Sequence, residues 1–227
     1  MVLEKLTGPI KEFGLFAGLY YGLDRALMLA RSPFRLYFYE LMAQPIGRTD
    51  RVPAGLKKGL EVRQIARGDV ELGSMPVTED VLAWRFKQRT VCLGAFQKGR
   101  FVAYMWLCFG PYEEDEVRCR FVPIPEEESV WDFDFYVFPA DRFGLGFASL
   151  WDAANEFLRN RGVRFSFSRV SRFNLASRRT HQHFGWKRLG RAFFLKAKQF
   201  QLMVATISPY VHIAMNNSSR PTFQLRA

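Results

Sequence analysis

Cysteine is scarce in this chain of 227 residues, which has only Cys92, Cys108 and Cys119 and no Cys-x-x-Cys pair. Such an odd, scattered set excludes a disulfide framework and a cysteine zinc site, and it fits a reducing compartment. Histidine is equally sparse. His181 and His183 fall on different faces of one helix and His212 stands apart, so no metal site is expected. No apolar run is long enough to cross a bilayer; the uncharged stretch from Phe13 to Leu23 is far too short. The first residues include Lys5, Lys11 and Glu12 and lack a small-residue cleavage site, so they do not read as a signal peptide. Repeats and low-complexity tracts are also missing. What remains is a cytoplasmic globular chain with room for one large domain, or one domain and an extension.

Acidic residues are nearly absent from one stretch. Between Arg142 and Lys198 thirteen basic residues face only Asp152 and Glu156. Between Glu113 and Asp134 the bias reverses, with nine acidic residues against Arg118 and Arg120. The first stretch suits a phosphate-rich ligand and the second a cation. The net charge of +11 opens nucleic acid, an anionic membrane or a polyanionic ligand as partners.

Hydrophobic periodicity orders the chain. Residues 1–31 read as a helix with Leu6, Ile10, Phe13, Phe16, Ala17, Tyr20, Leu23 and Leu27 on one stripe. That stripe suits packing on the domain, or lying on a membrane surface. Leu36 to Met42 reads as a strand, and Ala43 to Lys58, with two prolines and two glycines, as a linker. From Leu60 onward the order is strand, helix capped by Thr78, and two strands joined in a hairpin at Lys98-Gly99. A strand from Trp131 to Phe138 and a long amphipathic helix from Leu145 to Asn160 follow. Then come a strand from Val163 to Val170, a helix capped by Asn174, and strands from Trp186 to Ala197 and Phe200 to Ile207. The fold class is therefore α/β (α+β), with a mixed central sheet flanked by helices. Residues 1–56 form an N-terminal extension, 57–207 the domain, and 208–227 a C-terminal tail.

The strand that ends at Pro139 runs into Asp-Arg-Phe-Gly-Leu-Gly-Phe and then a helix. Strand, glycine loop and helix present unpaired backbone N–H groups to an anion. A third glycine is missing, since Ala148 or Ser149 stands in its place, so this is not a Rossmann fingerprint. Gly-Lys-Ser/Thr is missing too, which excludes a P-loop. Downstream lies Asn174-Leu-Ala-Ser-Arg-Arg-Thr-His-Gln-His-Phe-Gly-Trp186.

These two segments together resemble the GCN5-related N-acetyltransferase (GNAT) superfamily over about residues 57–207. Val137 and Pro139 match the family's turn, and Gly144 and Gly146 its two small positions. Asn174, Ser177 and Gly185 match its second motif. Three positions depart: Asp141 stands where glutamine or arginine is usual, His181 where tyrosine is usual, and Trp186 where phenylalanine is usual.

The resemblance implies an acyl-CoA N-acyltransferase fold with a mostly antiparallel sheet. It also implies transfer of an acetyl group from acetyl-CoA to a primary amine, without a metal. The donor would lie along Phe135 and Val137, with its pyrophosphate on the N–H groups of Phe143, Gly144, Leu145, Gly146 and Phe147, and Arg142 is a further donor-binding residue. Asn174 and Ser177 would flank it, and Arg178, Arg179 and Lys187 would meet the 3′-phosphate. His181 stands at the position of the family's acid. Asp132 and Asp134, expected on one strand face with Tyr136 and Phe138, are candidate bases. The acceptor stays open between a small-molecule and a protein amine. Two alternatives stay open as well: a long-chain donor from acyl-CoA or an acyl carrier protein, and a catalytically degenerate fold acting as a basic binding module. Further partners to weigh are a membrane surface against residues 1–31 and a second copy of the chain; nucleic acid is disfavoured.

Overall fold

The computed structural model describes residues 15–142 and 144–227. Its centre is a sheet of nine strands. In chain order these are β1 (Phe34–Pro45), β2 (Leu60–Ile65), β3 (Thr90–Gln97), β4 (Arg100–Cys108), β7 (Ser129–Val137), β8 (Phe165–Ser171), β9 (Lys187–Ala197), β10 (Phe200–Ala205) and β11 (Val211–Ala214). A second sheet of three strands holds β5 (Tyr112–Glu113), β6 (Arg120–Ile124) and β12 (Thr222–Arg226). The α-helices of the described chain are α1 (Leu15–Leu29), α2 (Glu79–Phe86), α3 (Gly146–Arg159) and α4 (Leu175–His183), with short 3-10 helices between elements. The fold is the expected mixed α/β arrangement with a mostly antiparallel sheet.

The large sheet runs β11-β10-β9-β1-β8-β7-β4-β3-β2. Only β7 and β8 are parallel, and they pair only from Ser129 to Trp131 against Phe165 to Phe167. Beyond that point β7 continues on β4 alone and β8 on β1 alone, so the two strands part in a V.

The segment read as an extension contributes β1, which is longer than the predicted Leu36 to Met42 and is hydrogen-bonded on both edges, to β8 and β9. The rest of the linker is fastened to α3. Asp152 accepts from the N–H of Arg51 and of Val52, both at 2.9 Å, and Asn155 accepts from the N–H of Gly47 at 3.2 Å. Residues read as a C-terminal tail contribute β11 and β12, and the acidic stretch contributes β5 and β6. The N-terminal part of the predicted first helix, residues 1–14, lies outside the described residues.

Local chemistry explains the elements. Thr78 Oγ1 accepts from the N–H of Val81 at 3.4 Å and caps α2. Lys98 and Gly99 both have positive φ, 50° and 79°, the geometry of a type I′ hairpin. In α3 the apolar stripe buries Leu150, Trp151, Ala154 and Leu158 against β3 and β4. α1, α3 and α4 cover one face of the sheet. α2 and the three-stranded sheet cover the other, where Trp131, Phe121 and Phe223 stack in series.

Candidate functional site

The V between β7 and β8 opens a cleft of about 570 Å³ on the α3–α4 face. Phe135, Tyr136 and Val137 line it from β7, Arg142 and Gly144 from the loop, Phe147, Ala148 and Trp151 from α3, and Asn174, Ser177, Thr180 and His181 from the α4 region. Seven of the ten expected donor-binding residues thus converge: Phe135, Val137, Arg142, Gly144, Phe147, Asn174 and Ser177. Leu145 and Gly146 do not line the cleft, and Phe143 lies outside the described residues. Tyr136, Ala148, Trp151 and Thr180 were not anticipated. For Trp151 the signal was present, since it lies on the apolar stripe one turn after Phe147.

The glycine loop differs from the expected bare cradle. The N–H of Gly144 donates to the carbonyl of Asp141 at 2.9 Å. A Cβ on Gly146 would meet Val102 Cγ2 at 3.0 Å, so this glycine admits the close approach of α3 to β4. The helix N-cap, Leu145, makes no side-chain cap, and the N–H groups of the first helical turn have no partner within the helix. Free N–H groups and the helix dipole at this end favour negative charge over positive.

Asp141, the unusual carboxylate, does not face that mouth unpaired. Arg100 grips it with two hydrogen bonds, 2.8 and 2.5 Å long, and holds its carboxyl below the usual carboxylate range. Arg142, the neighbour in sequence, is not its partner.

An irregularity in β7 rearranges the expected catalytic residues. Between the pairs Trp106–Phe133 and Tyr104–Tyr136, two residues of β7 oppose one of β4. Asp134 sits in this bulge with φ 47°. The extra residue inverts the alternation, so Asp132 and Asp134 point to opposite faces, contrary to the expectation of a shared one. Asp132 faces the α3–α4 side at the apex of the V and accepts from Ser166 Oγ. Its burial lifts its carboxyl to about 7. Asp134 faces the other side, where it pairs with Arg85 and accepts from Tyr104 Oη at 3.4 Å.

His181 lies at the inner end of the cleft, edge-on to Trp151, with Nδ1 3.0 Å from Gln44 Oε1. Burial pushes its pKa down to about 4, so at neutral pH it is an uncharged imidazole. Asn174 caps α4 by accepting from the N–H of Ser177 at 3.0 Å, which makes it a structural residue as well as a lining one. Arg178 turns away from the cleft to the buried carboxylate of Glu40, its Nε at 2.8 Å.

Behind β7, on the opposite face, lies a second pocket of about 460 Å³. Glu114, Asp115, Glu116 and Asp134 line it together with Arg85 and Arg169. Arg85 bonds both Asp115 and Asp134, while Arg169 bonds Glu114 and Glu116. Burial opposes the charge on each arginine, yet the carboxylates outweigh it and both guanidinium pKa values rise. Four carboxylates against two guanidiniums leave the pocket acidic.

No protein-family model and no curated protein matches the sequence. Solved structures of like fold exist at low identity. A functionally unknown conserved protein from Staphylococcus epidermidis superposes with TM-score 0.49 at 9% identity, over 76% of this chain and 65% of that one. A tandem GNAT protein from the clavulanic acid biosynthesis pathway gives TM-score 0.49 at 14% identity, over 76% of this chain and 58% of that one. A GCN5-related N-acetyltransferase from Kribbella flavida gives 0.43 at 12%, over 76% and 63%. The chain thus spans less than two thirds of the length of each of these proteins. The structures similar to it are mostly GNAT acetyltransferases.

Proposed function

We propose that this chain is an acyltransferase that moves an acetyl group from acetyl-CoA to a primary amine. One observation carries the reading: the parting of β7 and β8 sets an elongated cleft, with a helix N-terminus at its mouth, back to back with an acidic pocket. The cleft fits an acyl-CoA. It has an anion-binding end at Arg142 and the first turn of α3, and an apolar floor of Phe135, Phe147 and Trp151. An acyl-CoA bound there supplies the activated acyl group as a thioester.

The chain's own residues then have separable tasks. The acidic pocket gathers a cationic amine, and the carboxylate of Asp134, anchored by Arg85, stands on the strand that divides the two pockets. It is placed to take the proton that the amine must lose before attack. His181 is neutral and its Nδ1–H donates to Gln44 Oε1, so Nε2 is left as a hydrogen-bond acceptor; it delivers no proton to the leaving thiolate, which leaves as the anion or takes its proton from water. Asp132 lines neither pocket and holds the apex of the V through Ser166.

The test is a thermal-shift titration with acetyl-CoA and longer acyl-CoAs, paired with an amine-acetylation assay. Acetyl-CoA is expected to raise the melting temperature, and Ser177→Trp, which fills the cleft but leaves the α4 cap intact, to abolish the rise. A larger rise with a long-chain acyl-CoA would reassign the donor. Indifference to every acyl-CoA at millimolar concentration would remove the reading.

A further inference from the structure

α1 is built the wrong way round for a surface helix. Its inner face packs Ala17 and Tyr20 on Phe38, Phe173 and Phe193. Its outer face should be polar if water were its only neighbour. Instead Leu15, Leu19 and Leu23, one above another at four-residue steps, are 66%, 58% and 53% exposed, and Phe16 beside them is 65% exposed. The apolar surface continues onto the sheet. Phe193 pairs with Val204 and Val204 with Val211, so all three share the face that α1 covers, and Val204, Val211 and Ile213 are exposed.

A basic group adjoins this band on the same face. Glu40, wholly buried, has Arg178 Nε at 2.8 Å, Arg188 Nη1 at 3.5 Å and Arg191 Nε at 3.6 Å. One carboxylate cannot neutralise three guanidiniums, and the side chains of Arg188 and Arg191 are well exposed. Arg25, on α1 itself, is half exposed. The neighbour that completes this face must therefore be apolar and anionic together. A second copy of the chain does not meet that requirement. Face-to-face docking would set arginine group against arginine group in a protein of net charge +11.

We propose that this face, the outer stripe of α1 with the arginine group beside it, rests on an anionic phospholipid surface. The leucines enter the boundary between head groups and acyl chains, and the arginines meet lipid phosphates. Among the described residues no helix is long and apolar enough to cross a membrane, so the contact is one of lying on the surface. The inference does not depend on acyl transfer.

Co-sedimentation of the full chain with vesicles tests it. Phosphatidylcholine vesicles containing phosphatidylglycerol should pellet the protein, those of phosphatidylcholine alone much less, and added salt should release part of it. The triple variant Leu15→Glu/Leu19→Glu/Leu23→Glu changes only exposed positions. It should lower binding about tenfold or more while keeping the melting temperature. Arg188→Gln should weaken it severalfold. Three results would overturn the proposal: no pelleting with either vesicle, equal pelleting of the triple variant, or a dimer in size-exclusion chromatography that the triple variant dissolves without any vesicle binding.

Discussion

Burial acts with opposite sign on His181 and Asp132, and the two should be separable by pH. His181 in the folded chain titrates near 4, below the ordinary 6.5. Its contribution to stability is complete above about 6.5 and is lost as pH falls toward 4, because only the unfolded chain takes up the proton in that window. Asp132 titrates near 7 in the folded chain, above the ordinary 3.8. Its contribution is complete below about 4 and is lost as pH rises to 7. Each slope is about 1.4 kcal/mol per pH unit, so between 4 and 6.5 they largely cancel in the native sequence. Melting curves of His181→Gln should therefore show stability falling with rising pH, and those of Asp132→Asn stability rising. Parallel slopes in the two variants would contradict both assignments.

A second residue-scale outcome concerns Asp141. Arg100→Ala should release its carboxylate beside the cleft mouth and weaken acetyl-CoA binding severalfold, and Arg100→Ala/Asp141→Asn should recover most of it. Calorimetric titration of the three proteins closes this cycle.

Among the elements, α3 is the piece whose position matters most, because its first turn forms the cleft mouth. Gly146 lets it approach β4 at Val102. Gly146→Val should cost about 1–3 kcal/mol of stability through overpacking and weaken acetyl-CoA binding. Adding Val102→Ala should return part of both, as read by denaturant unfolding and titration. The elements that were legible in the sequence share one property: their signals are local. The stripe of α3, the Lys98-Gly99 turn and the Asn174 cap each lie within a few residues. The bulge in β7 was not legible, because a strand's two-residue period gives no hint of one extra residue. That omission misplaced Asp132, which faces the cleft side, while Asp134 keeps the face of Tyr136 and Phe138. The partner of Asp141 was hidden for a different reason, since Arg100 comes from another strand 41 positions away. Strands β5, β6 and β12 escaped notice because β5 has two residues, and the parallel pairing of β6 with β12 joins segments about a hundred positions apart.

At the scale of the whole molecule, residues 34–45 do not behave as an appendage. β1 lies between β8 and β9 and supplies Gln44 to His181 and Glu40 to Arg178. A fragment beginning at residue 57 would leave facing edges of β8 and β9 without hydrogen-bond partners. It should fail to give a cooperative melting transition, and adding residues 15–56 as a separate peptide should restore one at least in part. Circular dichroism against temperature reads both results.

The place of β1 also fixes a timetable. Pro45 leaves the ribosome 120 positions before its partner Phe165, and Phe34 pairs with Ala197, later still. During synthesis a strand destined for the middle of the sheet therefore waits with both edges open, and α1, made just before it, is the neighbour already at hand. Nascent chains of this protein should depend on that helix, or on a chaperone in its stead, until the last third of the sequence has emerged.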